Sequence, residues 1–203
     1  MELVVLVADK NMRFAVEGFL ENRRLPAREI SAHVLIHPKR DPGTFRQCHE
    51  FLRSRQRIAA HALVVFDRHG CGSEKSRVDL EGEVEVRMAQ NGWEGRSAAV
   101  VIDPELEAWV WAGYSQIEQA LGWSCGHEGL EDWLIRTGYL HEAGSKPQRP
   151  KEALESVLYL LKKRRTAALY SELAKAMDFK RCTDPAFAKL RTVLAAWFPR
   201  QAD

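Results

Sequence analysis

Acidic residues close three aliphatic runs of this 203-residue chain, and their chemistry is that of hard oxygen ligands. Asp9 follows Leu3 to Ala8, Asp67 follows Ala62-Leu63-Val64-Val65-Phe66, and Asp103, Glu105 and Glu107 follow Ala98 to Ile102. Carboxylates that a fold brings together repel one another, so they coexist only with a cation, basic neighbours or protonation. Oxygen donors with few nitrogen or sulfur partners select Mg2+ or Mn2+ rather than zinc. One or two such ions activate water and stabilise charge on a phosphodiester being cut. Asp9, Asp67, Glu105 and Glu107 are therefore candidate ligands for a divalent cation. Ordinary roles compete with this one. Asp9, two residues before Asn11, could cap a helix, and Asp103 before Pro104 is most economically a cap. If Glu105 and Glu107 both lie on a helix they diverge by about 200°, and Glu105, nearer the strand end, is the preferred ligand.

Two histidines are candidates for acid-base work, because imidazole titrates near neutrality. His69 sits two residues past Asp67 in the loop Arg68-His69-Gly70-Cys71-Gly72, where it either serves a metal or a leaving oxygen or is solvated. His37 ends the stretch from Ile30 to Ile36. Lys146, Arg149 and Lys151 lie on a proline-stiffened loop before a helix, a placement suited to nucleic-acid phosphates. Lys162-Lys163-Arg164-Arg165 matches ordinary compensation of a helix C-terminus. The chain holds no GxxxxGK[ST], GxGxxG or GxSxG pattern, which argues against a P-loop, a dinucleotide fold and a hydrolase elbow.

These residues need elements to position them. Leu3 to Ala8, Ile30 to Ile36, Ala62 to Phe66 and Ala98 to Ile102 read as strands. Between them, Met12, Ala15, Val16, Phe19 and Leu20 fall on one helical face up to Arg23–Pro26. Asp41-Pro42-Gly43 reads as a turn before a helix through Phe45, Cys48, Phe51 and Leu52, and Glu81 to Gln90 as a surface helix ended by Asn91-Gly92. Pro104 suits a first helical turn. Four alternations of strand and helix predict a parallel four-stranded sheet flanked by helices, a Rossmann-like α/β core over residues 1–112. Residues 113–203 read as an all-helical extension, with segments near 115–121, 128–137, 150–163, 167–177 and 185–197. In such a sheet the ligand crevice lies outside the carboxyl ends of the strands, where the acids above fall.

Composition narrows the classes. With 45% hydrophobic and 29% charged residues, disordered and collagen-like chains are excluded. A net charge of +2 is too small to imply nucleic-acid binding, but residues 141–203 carry 13 basic against 7 acidic side chains, whereas residues 1–140 carry 17 against 21. Cys48, Cys71, Cys125 and Cys182 form no CxxC pair, so reduced thiols and a cytoplasmic location are expected. The apolar start is too short for a secretion signal, and no run reaches the ~20 residues of a membrane span. The Trp residues, among them Trp109, Trp111, Trp123, Trp133 and Trp197, are expected as core or interface anchors.

Asp9, Val64-Val65-Phe66-Asp67-Arg68-His69-Gly70 and Pro104-Glu105-Leu106-Glu107-Ala108-Trp109 together resemble a small bacterial Toprim-like family of phage-defence proteins, over about residues 3 to 112. Lys146-Pro147 to Leu154 and Cys182 to Phe187 look like blocks of a narrower family associated with methylation-linked defence. The resemblance implies Mg2+- or Mn2+-dependent phosphoryl chemistry on nucleic acid, with Asp9 in place of the usual Glu after the first strand. Asp67 would be the first acid of a DxD motif. His69 stands where the second Asp is expected, which removes one hard ligand unless Glu105 or Glu107 substitutes. Two readings follow: an antiviral nuclease with Asp9, Asp67, His69 and Glu105 as its catalytic set, or a non-catalytic defence component that binds a partner protein or phosphate ligand.

Overall fold

The computed structural model describes residues 1–22, 24–124, 127–177 and 182–200; Arg23 and Cys125, both considered above, lie outside these. Four strands, β1 (Leu3–Val7), β2 (Ala32–Ile36), β3 (His61–Asp67) and β4 (Ser97–Ile102), form one all-parallel sheet in the order β2-β1-β3-β4. Val7 pairs with Ile36 on one side and Val65 on the other, and Asp67 aligns with Ile102. β1 and the centres of β3 and β4 are fully buried, as parallel strands covered on both faces must be.

Helix α1 (Lys10–Leu20) buries Met12, Ala15, Val16 and Phe19, the face expected from its spacing. Because parallel crossovers are right-handed, α1 and α2 (Arg40–Phe51) lie on opposite faces, with α3 (Arg77–Met88) beside α2. Asp41-Pro42-Gly43 is the first turn of α2, not a turn ahead of it. All three residues are compatible with a helix start: Asp41 suits the positive end, Pro42 needs no amide partner there, and Gly43 leaves room for a neighbour. That neighbour is the buried His37 ring, which lies 2.3 Å from where a Gly43 Cβ would stand. His37 Nδ1 accepts the Lys39 N–H, and its ring packs on Phe51, so it pins the β2–α2 connection and does not open toward the crevice. After α3 a short π-helical stretch, Ala89–Trp93, turns at Gly92.

Helix formation near Pro104 starts later than expected, with α4 at Glu107–Val110. Helices α5 (Tyr114–Leu121), α6 (Leu130–Arg136), α7 (Pro150–Leu160), α8 (Ala167–Ala176) and α9 (Pro185–Trp197) follow. α8 lies along α1 and α9 against β4, and both share one hydrophobic core with the sheet. The reason is geometric: α1 covers only the β1/β2 side of its face, so β3 and β4 need another layer. Phe19, Trp109 and Phe187 meet edge to face there, at centroid distances of 5.2 to 5.5 Å.

β4 is an edge strand, and α3 closes that edge with side chains. Glu81 accepts the Val101 N–H at 3.1 Å and Glu85 the Ala99 N–H at 3.0 Å. Arg77 and, from α9, Lys189 compensate their charge. Glu81 is only 3% exposed. Glu81→Ala should therefore strand a buried N–H and two cations, lowering stability by about 1–3 kcal/mol in urea denaturation. Glu85→Ala, at a half-exposed acceptor, should lower it less.

Candidate functional site at the strand ends

The order β2-β1-β3-β4 reverses direction between β1 and β3, and at such a switch point the connections part to leave a crevice at the carboxyl ends. Asp9 follows β1 there and Asp67 ends β3. Asp41, at the start of α2, enters from the β2 side: its Oδ1 accepts the Asp67 backbone N–H at 2.9 Å. Glu105 arrives from the β4 side.

Asp67 is the centre of this group. Its Oδ1 is closed to solvent and has no hydrogen-bond partner among the described residues; the other such buried atoms belong to His49, His61 and Trp93, and none is a carboxylate. Burial first, then the charges of Asp41, Glu107, Asp9 and Glu105, hold its carboxyl well above the usual carboxylate range. Burial, with the Asp9 charge added, also raises Asp41, against opposing backbone hydrogen bonds. Glu105 is raised by burial and by Glu107, while the Lys151 charge and backbone N–H and the His69 ring oppose the shift. The strand ends thus surround Asp67 with the charges of Asp41, Glu107, Asp9 and Glu105.

The remaining candidates are committed elsewhere. Asp9 caps α1, accepting the Met12 N–H at 2.9 Å through Oδ1, which leaves its second oxygen for the crevice. Asp103 pairs with Arg68 at 2.8 Å and ties the β3 and β4 loops together. Glu107 is buried, and although its charge is felt at Asp67 and Glu105, its carboxylate accepts from the Tyr170 hydroxyl and is ion-paired with Arg165. His69 is exposed, with its backbone N–H on Pro104 O. Lys146 pairs with Asp184, which caps α9 and accepts the Trp109 indole N–H, so it braces the helical layer. Arg149 pairs with Glu152 and lies over the Tyr139 ring. Only Lys151 of the three stands at the acids. Cys71 is buried and its thiol pushed up by that burial, which is the wrong direction for a nucleophile.

Three contributors escaped the sequence. Asp41 obeys the same strand-end rule as Asp9 and Asp67, but Asp-Pro-Gly reads as a turn and hides it. Arg165 and Tyr170 lie far along the chain and carry no spacing that links them to Glu107.

A cavity of about 720 Å3 lies instead beside the β2 edge between Leu20, Leu25, Ile30 and Val34. Arg28 is paired there with Glu2 and Glu21 with Lys175, and no buried carboxylate oxygen of its lining lacks a partner as Asp67 Oδ1 does.

Comparison with family models, with curated proteins and with solved structures returns no match. Function must be argued from the crevice itself. Among the described residues, no three His, Cys, Asp or Glu side chains are grouped to cage a metal ion, so the expected set of Asp9, Asp67, Glu105 and Glu107 does not form one. The donors still fit Mg2+, which commonly takes only one or two carboxylates and keeps waters or substrate phosphates for the rest of its shell. The unpartnered Asp67 Oδ1 beside Asp41 supplies that demand for positive charge. Among the described residues, no helix is long and apolar enough to cross a membrane.

Proposed function

We propose that the strand-end crevice is a divalent-cation-dependent phosphoryl-transfer site that cuts nucleic acid, in the antiviral role that the Toprim-like resemblance implies. One observation carries this reading: a solvent-shielded, unpartnered carboxylate oxygen on Asp67, surrounded by the charges of Asp41, Glu107, Asp9 and Glu105. Asp67 and Asp41 would hold the cation, with the free oxygen of Asp9 and Glu105 at its rim. Bound there, Mg2+ or Mn2+ would supply a water of lowered pKa and stabilise charge on the phosphate. Asp41 fixes the Asp67 backbone, Lys151 brings positive charge to Glu105, and exposed His69 is free to give a proton to a leaving oxygen. Glu107 takes a positioning role, because Arg165 and Tyr170 occupy it.

The test is cleavage of plasmid, single-stranded DNA and RNA in Mn2+ and Mg2+. Wild type should cut, and Asp41→Asn and Asp67→Asn should each lower the rate by ~100-fold or more, the scale of lost charge stabilisation at a reacting phosphate. Cleavage by Asp67→Asn at the wild-type rate would remove the proposal. The absence of a three-donor cage favours the second reading, a defence component that binds phosphate or a protein partner without cutting. Phosphate binding by a wild-type protein that never cleaves would support it.

A further inference from the structure

The C-terminal end of α7 carries a surface that the acidic rim does not use. Tyr159 is 87% exposed and Leu160 42%; among the described residues every other Phe, Tyr or Trp is at least partly buried. Lys162, Lys163 and Arg164 follow, all exposed, and none has a recorded ion-pair or hydrogen-bond partner for its side chain among the described residues. The fourth cation, Arg165, turns inward to Glu107, Glu155 and Tyr170.

Hydrogen bonding at the helix terminus does not call for the three exposed cations, of which Lys163 brings its ammonium beside Gly122 at the end of α5. Three carbonyls of the last turn of α7 are satisfied by backbone: Leu161 N–H bonds Val157 O at 3.0 Å, Lys162 N–H bonds Tyr159 O at 3.1 Å, and Lys163 N–H bonds Leu158 O at 2.9 Å. Lys162 occupies the left-handed region at φ 53°, where helices ordinarily end on glycine. A lysine there is less stable than glycine would be, and such outliers concentrate where the side chain is needed.

Position supplies the connection. Lys151, Glu155 and Tyr159 recur at helical spacing along one stripe of α7, and Lys162 follows just past its C-terminal end. Lys151 stands at Glu105, and Tyr159 lies about 12 Å further along the axis at 1.5 Å per residue. An exposed aromatic face beside three cations is complementary to unpaired bases on a phosphate backbone, whereas the stacked bases of a duplex offer the ring no free face.

We infer that Tyr159, Lys162, Lys163 and Arg164 form a binding surface for a single-stranded nucleic acid, which α7 leads toward the acidic rim. Tyr159 stacks on a base, and the three cations contact phosphates. The direction of the strand rests on the phosphoryl-transfer reading; binding itself does not.

The experiment is fluorescence anisotropy with labelled oligo-dT and oligo-rU of ~15 nucleotides, in chelator so that nothing is cut. Wild type should bind at least one strand, with affinity that falls as salt rises. Tyr159→Ala should weaken binding about tenfold with unchanged melting temperature, and the triple change Lys162→Glu, Lys163→Glu, Arg164→Glu should weaken it ~100-fold or more in a protein that still unfolds cooperatively, its melting temperature lowered only by the helix-dipole cost of the reversed charges. Lys162→Gly should raise the melting temperature while lowering affinity several-fold, a combination that a purely structural lysine would not produce. Failure of wild type to bind either strand, or binding by the triple variant equal to wild type, overturns the inference. Binding lost in the triple variant, in a protein that never cleaves in Mn2+, upholds this surface while removing the nuclease reading.

Discussion

Asp67→Asn is expected to yield a protein that is more stable than wild type at neutral pH and yet lacks the proposed cleavage. In the unfolded chain Asp67 titrates in the ordinary carboxylate range, whereas in the native state burial and the surrounding acids raise it well above that range. Between the two values the native state holds a proton that the unfolded state has released, so stability falls as pH rises through that interval. Above the native value the loss is complete. Asparagine has no such proton, so its advantage should be largest at neutral and alkaline pH and should vanish in acid, where both states of wild type are protonated. Relief of an uncompensated buried charge is worth about 1–3 kcal/mol at pH 7. Urea denaturation at several pH values measures it. A variant less stable than wild type at pH 7, in the absence of added metal, would show that Asp67 is not an electrostatic burden. Added Mg2+ should stabilise wild type and leave Asp67→Asn unmoved, because a ligand that binds only the native state raises its stability by mass action.

The second large effect lies behind the crevice. Glu107 is 3% exposed, and its charge is matched by Arg165, itself about one-third exposed, with the Tyr170 hydroxyl completing the set. Arg165→Ala should lower stability by about 2–4 kcal/mol, the upper part of the range for a broken buried pair being reduced by the partial exposure of the guanidinium. It should also loosen α8 from α4, since Arg165 and Tyr170 reach Glu107 from the start of that helix. Replacing both partners, Arg165→Met with Glu107→Leu, should recover most of the loss, because no isolated charge is then left in the core. Recovery in the pair and loss in the single variant, both read from urea midpoints, are the expected result. A single variant as stable as wild type would mean that Glu107 finds compensation elsewhere.

Much of this architecture is legible in the order of residues. The runs at Leu3, Ala62 and Ala98 are short, β-branched and unbroken by polar residues, which is what strands covered on both faces require, and each lies within a residue or two of its observed bounds. The five helical segments after residue 113 likewise match α5 to α9 closely, because amphipathic spacing and terminal Pro, Gly and Asp are local properties. Asp-Pro-Gly at 41–43 misleads for the same reason: locally it suits a turn and a helix start equally, and only the His37 ring against Gly43 decides between them.

Sequence alone, then, determined the strand and helix alternation, the parallel sheet and the placement of Asp9, Asp67 and Glu105 at strand ends, since these depend on side-chain periodicity and on the direction of the chain. Tertiary structure alone decided how the charges are shared out. It brought Asp41 onto the Asp67 backbone, gave Glu107 to Arg165 and Tyr170, gave Lys146 to Asp184, and left one oxygen of Asp67 without a partner. Ion pairs and hydrogen bonds depend on separations of a few ångströms between residues far apart in the chain, 63 positions for Glu107 and Tyr170 and 108 for Glu81 and Lys189, and no periodicity in the chain encodes such a distance.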